Sequence, residues 1–392
     1  MKHLFLITII IFTSLFAYSQ EETVEVKGVG FGTDKKKARE DAIQDALRQA
    51  VAQVGGVHLK SSTEVQNFVT LNDAISTRAD GYVKSSTVLE ETPFPDKYEV
   101  KVRATVSLAP MVEDAKTLSE MVGGVNFIVV YDARSLTPAQ KVYYDFAYER
   151  MNEKLNDKGY SRTEAALFAK AVTFTNNTNE IEYLSQVAMY TNSEFVIQIK
   201  DIILKTEEKA GGLWATQATM DVKAFDGCNW RNLGTVIFKG DTKVQKDKQF
   251  AEREAIADAV DLGFDRLMLQ FNTDIGSWVD GGAPYELRFY SFTLDDLDFI
   301  EFVDLLIKDT NTVGEPQMTT VDQYFKLVLR SKNSQFGVFK LVLKSAVAIE
   351  NFKTQSPSRE ILYGRQMSIT PKGVKNAEIE AKKEILSKIK AQ

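Results

Sequence analysis

Alanine recurs at Ala38, Ala42, Ala46 and Ala50, with Ile43, Leu47, Val51 and Val54 beside it. Apolar positions three and four apart share one face of a helix. A face of alanines lets the helix axis come closer to its neighbour than larger side chains would. The simplest neighbour is a sheet. Ahead of the helix, Thr23–Lys27 alternates as a strand, and Gly28, Gly30 and Gly32 lead to Asp34, a candidate cap. Gly55-Gly56 reads as the stop. The strands expected next are Val57–Val65, Gly81–Glu90 and Tyr98–Leu108, the last alternating through Val100, Val102, Ala104 and Val106.

Pro110 to Met121 is a polar helical stretch that reads, with Gly123-Gly124, as a linker. A second segment follows: strand Val125–Tyr131, a helix opened by Thr137-Pro138 and running to Gly159, and a shorter helix around Ile181, Leu184, Val187 and Ala188. Strand Phe195–Leu204 comes next, then a hairpin of Ala215–Phe225 and Asn232–Lys239 around Asp226-Gly227, and a helix from Lys248 to Phe271. Gly276 to Pro284 reads as a second linker. The third segment reads strand Tyr285–Phe292, helix Thr293–Lys308 with Thr293 and Asp296 in capping-box spacing, and strands Gln317–Val321 and Tyr324–Ser331. Helix Gln335–Val347, strand Glu360–Ser368 and a charged helix Gly373–Lys390 complete it. The order βαββαβ suits a ferredoxin-like sandwich. The pattern Asp34-Lys35, Ala38, Ala42-Ile43, Asp45-Ala46-Leu47 recurs as Asp247-Lys248, Ala251, Ala255-Ile256, Asp258-Ala259-Val260. It fits either duplication of a helix-on-sheet module or two helices solving one packing problem with alanine, and the second is the preferred reading.

The fold class expected is α/β (α+β), in three small domains with helices packed on mixed or antiparallel sheets. The divisions are a signal peptide 1–19, a first domain 20–109, a linker 110–124, a second domain 125–275, a linker 276–284, a third domain 285–371 and a terminal helix 372–392.

The signal peptide is read from Lys2, the apolar run Leu4 to Ala17, and small residues at Ala17 and Ser19 before the cleavage point. The run is shorter than the roughly 20 residues of a bilayer-spanning helix, so a soluble, periplasmic mature protein without a membrane span is expected. The whole chain carries 48 Lys plus Arg against 54 Asp plus Glu, a formal charge of −6 that offers no basic surplus for nucleic acid. One Cys and two His cannot build a disulfide framework or a Cys/His metal cage.

Candidate chemistry is sparse. The glycines 28, 30 and 32 lack the third glycine of a dinucleotide fingerprint, since Thr33 stands there; a turn and a capped helix explain them. Lys35, Lys36 and Lys37 read as a solvated face. His58, in an apparent strand, has no nucleophile elbow to serve. Cys228 reads as a buried small hydrophobe. The cluster Asp295, Asp296, Asp298, Glu301 and Asp304 fits the dipole of a helix start. Trp214, Trp230, Trp278, Tyr143 and Tyr144 read as core or interface anchors. No catalytic, cofactor-binding or metal-binding residue is assigned, and no cofactor is expected.

The string Ala46–Gly56, followed by Ser61–Val65, Arg78–Val83, Val88–Glu91 and Tyr98–Val102, resembles the amino-terminal domain of the flagellar assembly protein T family. That resemblance spans about Val24 to Leu108. It implies a non-enzymatic periplasmic protein of three domains that builds or stabilises a ring around the flagellar basal body. Val125 to Phe271 is similar in element order to the amino-terminal domain of TolB and to the curli-secretion protein CsgG. The function expected is a non-enzymatic periplasmic assembly or scaffold protein of an envelope machine. Its expected partners are envelope or outer-membrane proteins, or copies of itself in a ring. The alternative is a periplasmic binding module for a peptide, glycan or lipid, and a carboxylate-based envelope hydrolase ranks last. The stretches Ser61–Thr70 and Asp80–Ser86 are the first contact surfaces to test.

Overall fold

The computed structural model describes residues 21–60, 68–122, 124, 126–173, 179–321 and 324–390. The signal peptide and most of the Ser61–Thr70 stretch therefore lie outside the described residues. The fold mixes helices with three sheets, as the α/β expectation holds. By compactness the chain divides into two units, with the boundary between Lys116 and Thr117.

The first unit is built on strands β1 (Glu21–Phe31), β2 (Val83–Pro93) and β3 (Lys97–Ser107), antiparallel throughout in the order β1-β3-β2. Helix α1 (Lys35–His58) lies across the sheet with its alanine stripe buried. Gly28 and Gly30 belong to β1 and not to a turn, which corrects the expectation. A side chain at Gly28 would strike the Ala42 carbonyl, and one at Gly30 the Ala38 carbonyl. Small residues on both partners set the spacing. Asp34 caps α1, accepting from the Lys36 and Lys37 amides at 3.0 and 3.3 Å. The helix does not stop at Gly55-Gly56, so the expected strand from Val57 is replaced by helix up to His58. Gly55 instead makes room for Asn72 of helix α2 (Phe68–Ser76), whose side chain fills the space a Cβ would take. A short helix α3 (Ala79–Tyr82) precedes β2.

The stretch read as the first linker is helix α4 (Leu108–Val122), which contains the boundary and buries Met111, Ala115, Leu118 and Met121.

In the second unit, β4 (Phe127–Val130) runs parallel to β5 (Phe195–Lys209). The antiparallel strands β6 (Leu213–Asp226) and β7 (Asn232–Lys239) extend the sheet, and the short β8 (Lys243–Gln245) pairs with β6. The helices are α5 (Pro138–Asp157), opened by a Thr137/Gln140 capping box, α6 (Ala165–Thr173), α7 (Glu180–Tyr190) and α8 (Lys248–Gly276). Phe127, Phe195 and Phe271 meet at centroid distances of 4.8 to 5.5 Å.

The residues expected as a second linker are buried. They form the end of α8, a turn of helix α9 (Trp278–Gly281) with Trp278 wholly covered, and the start of β9 (Ala283–Tyr290). The second and third sheets thus share one compact unit. The third sheet has the order β10-β11-β9-β13-β12, with β10 (Gln317–Val321), β11 (Tyr324–Ser331), β12 (Pro357–Tyr363) and β13 (Gln366–Pro371).

The single strand expected over Glu360–Ser368 is a hairpin. Gly364, at φ +48°, reverses the chain, and β13 then enters the sheet parallel to β9. The order is therefore βαββαββ, and the ferredoxin-like reading is corrected by one strand. Helices α10 (Asp296–Ile307) and α11 (Gln335–Ala348) cover one face through Phe302 on Phe289 and Phe339 on Tyr285. The α10 cap is Asp295, in a capping box with Asp298, rather than Thr293. The short α12 (Glu350–Thr354) follows α11, and α13 (Ala377–Lys390) ends the described chain.

The internal sequence similarity is also a similarity of geometry. Gly28 faces Ala42 and Ala46 of α1, as Gly240 faces Ala255 and Ala259 of α8. The next amide in each case is taken by the helix aspartate: Val29 N–H donates to Asp45 at 3.0 Å, and Asp241 N–H to Asp258 at 2.6 Å. Both helices are capped by the aspartate that opens the pattern, Asp34 and Asp247.

Candidate functional site

The residues singled out in the sequence do not converge. Lys35, Lys36 and Lys37 are exposed, and Lys35 donates to the Phe94 carbonyl. His58 closes α1, where its Nε2 pairs with Glu22 at 2.7 Å. Asp295 and Asp298 are tied up in the α10 cap, and Asp298 also accepts from Asn351 at 2.8 Å. Tyr143 bonds Glu252 at 2.5 Å, Tyr144 bonds Asp201 at 3.3 Å, and Trp214 lies under the Lys248 ammonium. Among the described residues no group of three His, Cys, Asp or Glu side chains could hold a metal, and no helix is long and apolar enough to cross a membrane.

Two arrangements in the second unit have more to say. The first is a wholly buried ion cluster. Arg365, at the tip of the β12–β13 hairpin, reaches Glu194 at 3.0 Å and Asp226 at 2.6 Å, and its guanidinium lies over the Trp278 ring at 4.6 Å. Arg365 N–H points at the Cys228 sulfur at 3.3 Å, Gln366 donates to the Cys228 carbonyl at 2.7 Å, and Tyr363 donates to the Ser193 carbonyl. One cation shared by two carboxylates leaves one carboxylate in excess. Burial, opposed by the nearby Arg365, pushes Glu194 up to about 8. Burial likewise raises the Cys228 thiol, so it stays protonated and unreactive. The cluster fastens the third sheet to the end of the second. Trp278 and Cys228 are its covered walls, as their reading as core residues anticipated.

The second is a cleft of about 920 Å³ over the sheet face that α10 and α11 leave free. Alternation along β9 and β11 sends Tyr285, Leu287 and Phe289 to the helices, and Glu286, Arg288, Tyr324 and Lys326 to the cleft. Glu286, almost fully buried, is held by Arg288 at 2.6 Å and Lys326 at 2.7 Å. The walls come from α7, the loop Asn229-Trp230 and α13. Trp230 stands at φ +61°, a conformation costly for a residue with a Cβ, and its indole N–H has no acceptor among the described residues. A second hollow of about 450 Å³, shared at Asn229 and Lys326, continues toward Arg330. None of this was legible in the sequence, because its parts come from positions 179 to 382 and only the sheet register brings them together.

The first unit offers a different surface. The whole of β2 lacks a buried residue, and its outer edge pairs with no strand among the described residues. Two register shifts, at Val83/Ser85 and Val88/Glu90, bend it. An uncovered edge of this kind is a template for strand addition, and bulges limit unspecific pairing. The Asp80–Ser86 stretch singled out for testing runs into its start. On the outer sheet face, Glu25 pairs with Lys101 at 2.9 Å and Arg103 at 2.6 Å.

Comparison with known proteins agrees with the resemblance read in the first segment. Residues 22–108 match the family described as flagellar assembly protein T, N-terminal domain. The matched stretch takes in β2, β3, α1 and all of β1 but its first residue, and stops at the first residue of α4. The TolB- and CsgG-like order of the middle segment finds no such confirmation. Among solved structures, the hypothetical protein CT253 from Chlamydia trachomatis aligns at 17% identity over 40% of this chain and 98% of its own, with a TM-score of 0.22. No curated protein matches.

Proposed function

We propose that this chain is a non-enzymatic assembly protein of a cell-envelope machine, of the flagellar, motility or secretion kind. It works in the periplasm after export by residues 1–19, through contacts with envelope or outer-membrane proteins. The match of residues 22–108 to the flagellar assembly protein T domain carries this reading. The open edge of β2 gives the domain a physical means of holding a partner. The buried thiol and the ion cluster of the second unit are structural, which agrees with a role in holding rather than reacting.

Fractionation of cells that make the chain tests the reading. A mature chain starting at Gln20, recovered from the envelope in a complex larger than the chain itself, supports it. A full-length chain in the cytosol, or a free one with no envelope association, contradicts it.

The strained Trp230 with its unpartnered indole favours a second reading, a binding module for a small polar ligand in the cleft. Its test is native mass spectrometry of the purified chain, in which a retained small molecule lost on Trp230→Ala would transfer the weight to that reading.

A further inference from the structure

We propose that the outer face of the α10–α11 pair is a two-fold contact with a second copy of this chain. The two helices lie antiparallel on the third sheet. Asn351 donates to Asp298 near the start of α10, and Asn333 donates to Asp309 just past its end. Positions along α10 therefore run opposite to positions along α11. Away from the sheet, α10 exposes Leu297, Ile300 and Ile307 around Glu301 and Asp304, and α11 exposes Phe336 and Val347 around Lys340 and Lys344. Phe336 is 75% exposed and Leu297 62%, and these apolar side chains are grouped on one face of the helix pair instead of lying singly. None of the four charges is in an ion pair among the described residues.

The arrangement is self-complementary. A two-fold axis running along the helix pair, in the plane of the contact, sets α10 of one copy over α11 of the other and keeps each position at its own height. Glu301 then meets Lys344 of the second copy, Asp304 meets Lys340, Ile307 meets Phe336, and Leu297 meets Val347. Acidic meets basic and apolar meets apolar in all four, and the symmetry makes each pairing twice. The α11 helix of 14 residues is about 21 Å long at 1.5 Å per residue. A contact made by two helices of 12 and 14 residues on each copy is short, and a weak, salt-sensitive dimer is expected. Such a contact closes on itself and does not propagate a ring, so it is independent of any envelope partner.

The test is sedimentation of the mature chain and of two charge variants. E301K/D304K makes all four positions basic, and K340E/K344E makes all four acidic. The wild-type chain should dimerise at tens of micromolar and lose affinity at least tenfold between low and high salt. Each variant alone should sediment as a monomer with an unchanged circular dichroism spectrum, and an equimolar mixture of the two should dimerise again. A wild-type chain that stays monomeric at 100 μM, variants that remain dimeric, or a mixture that fails to associate would overturn the proposal.

Discussion

Arg365 Nη2 lies 2.6 Å from Asp226 Oδ1, and neither side chain is exposed. One residue belongs to the hairpin that ends the third sheet and the other to the end of β6, so this contact crosses between two sheets. Removing one partner of a buried ion pair leaves the other charge stranded, a loss of ~3–5 kcal/mol. R365A should destabilise the second unit by about that much and leave the first unit's transition in place. All three tryptophans, Trp214, Trp230 and Trp278, are in the second unit, so urea unfolding followed by tryptophan fluorescence reports on it alone.

Glu194 gives the same unit a pH dependence. Its folded value near 8 stands above the ordinary 4.5, so the folded form holds a proton that the unfolded chain releases. The stability it contributes is complete below about pH 4.5 and is lost as the pH rises toward 8. E194Q should flatten the decline of the fluorescence midpoint across that window. An identical slope in both proteins would show that Glu194 titrates normally.

The glycines of α1 and β1 should separate cleanly. Gly28→Val forces a side chain into the backbone of α1 and should cost ~3 kcal/mol or more, read as faster hydrogen exchange across residues 22–108. Gly56→Ala meets nothing within 4 Å, and in a helix it should stabilise by ~0.5–1 kcal/mol.

Cys228 should be silent. Its thiol is wholly buried and kept protonated by that burial, so iodoacetamide should label it only after urea has opened the second unit. Rapid labelling of the native chain, followed by mass spectrometry, would show the cluster to be open.

Much of the local structure was legible because local rules decide it. The strands Gln317–Val321 and Tyr324–Ser331 keep the bounds read from alternation, and Thr137-Pro138 opens its helix as read. The alanine stripe announced a close helix-on-sheet contact, although the matching role of Gly28 and Gly30 was missed. Glycine is where reading failed in both directions. Gly55-Gly56 looks like a stop but serves a close approach by Asn72, and Gly364 looks like part of a strand but reverses it. Local sequence does not say whether a glycine is needed for φ or for space. The ion cluster and the cleft were out of reach for another reason: Glu194, Asp226 and Arg365 are far apart in the chain, and no spacing rule links them.

The central claim is that the first domain holds an envelope protein at its open edge. Its most direct test is a photocrosslinking residue placed in living cells at Ser86 or Thr87 on β2, with an equivalent at the exposed Gln44 of α1 as control. The account predicts a discrete crosslinked product containing one envelope protein from the β2 positions and none from the control. Crosslinks to no protein at all from β2, in a chain shown to be folded and exported, would contradict it.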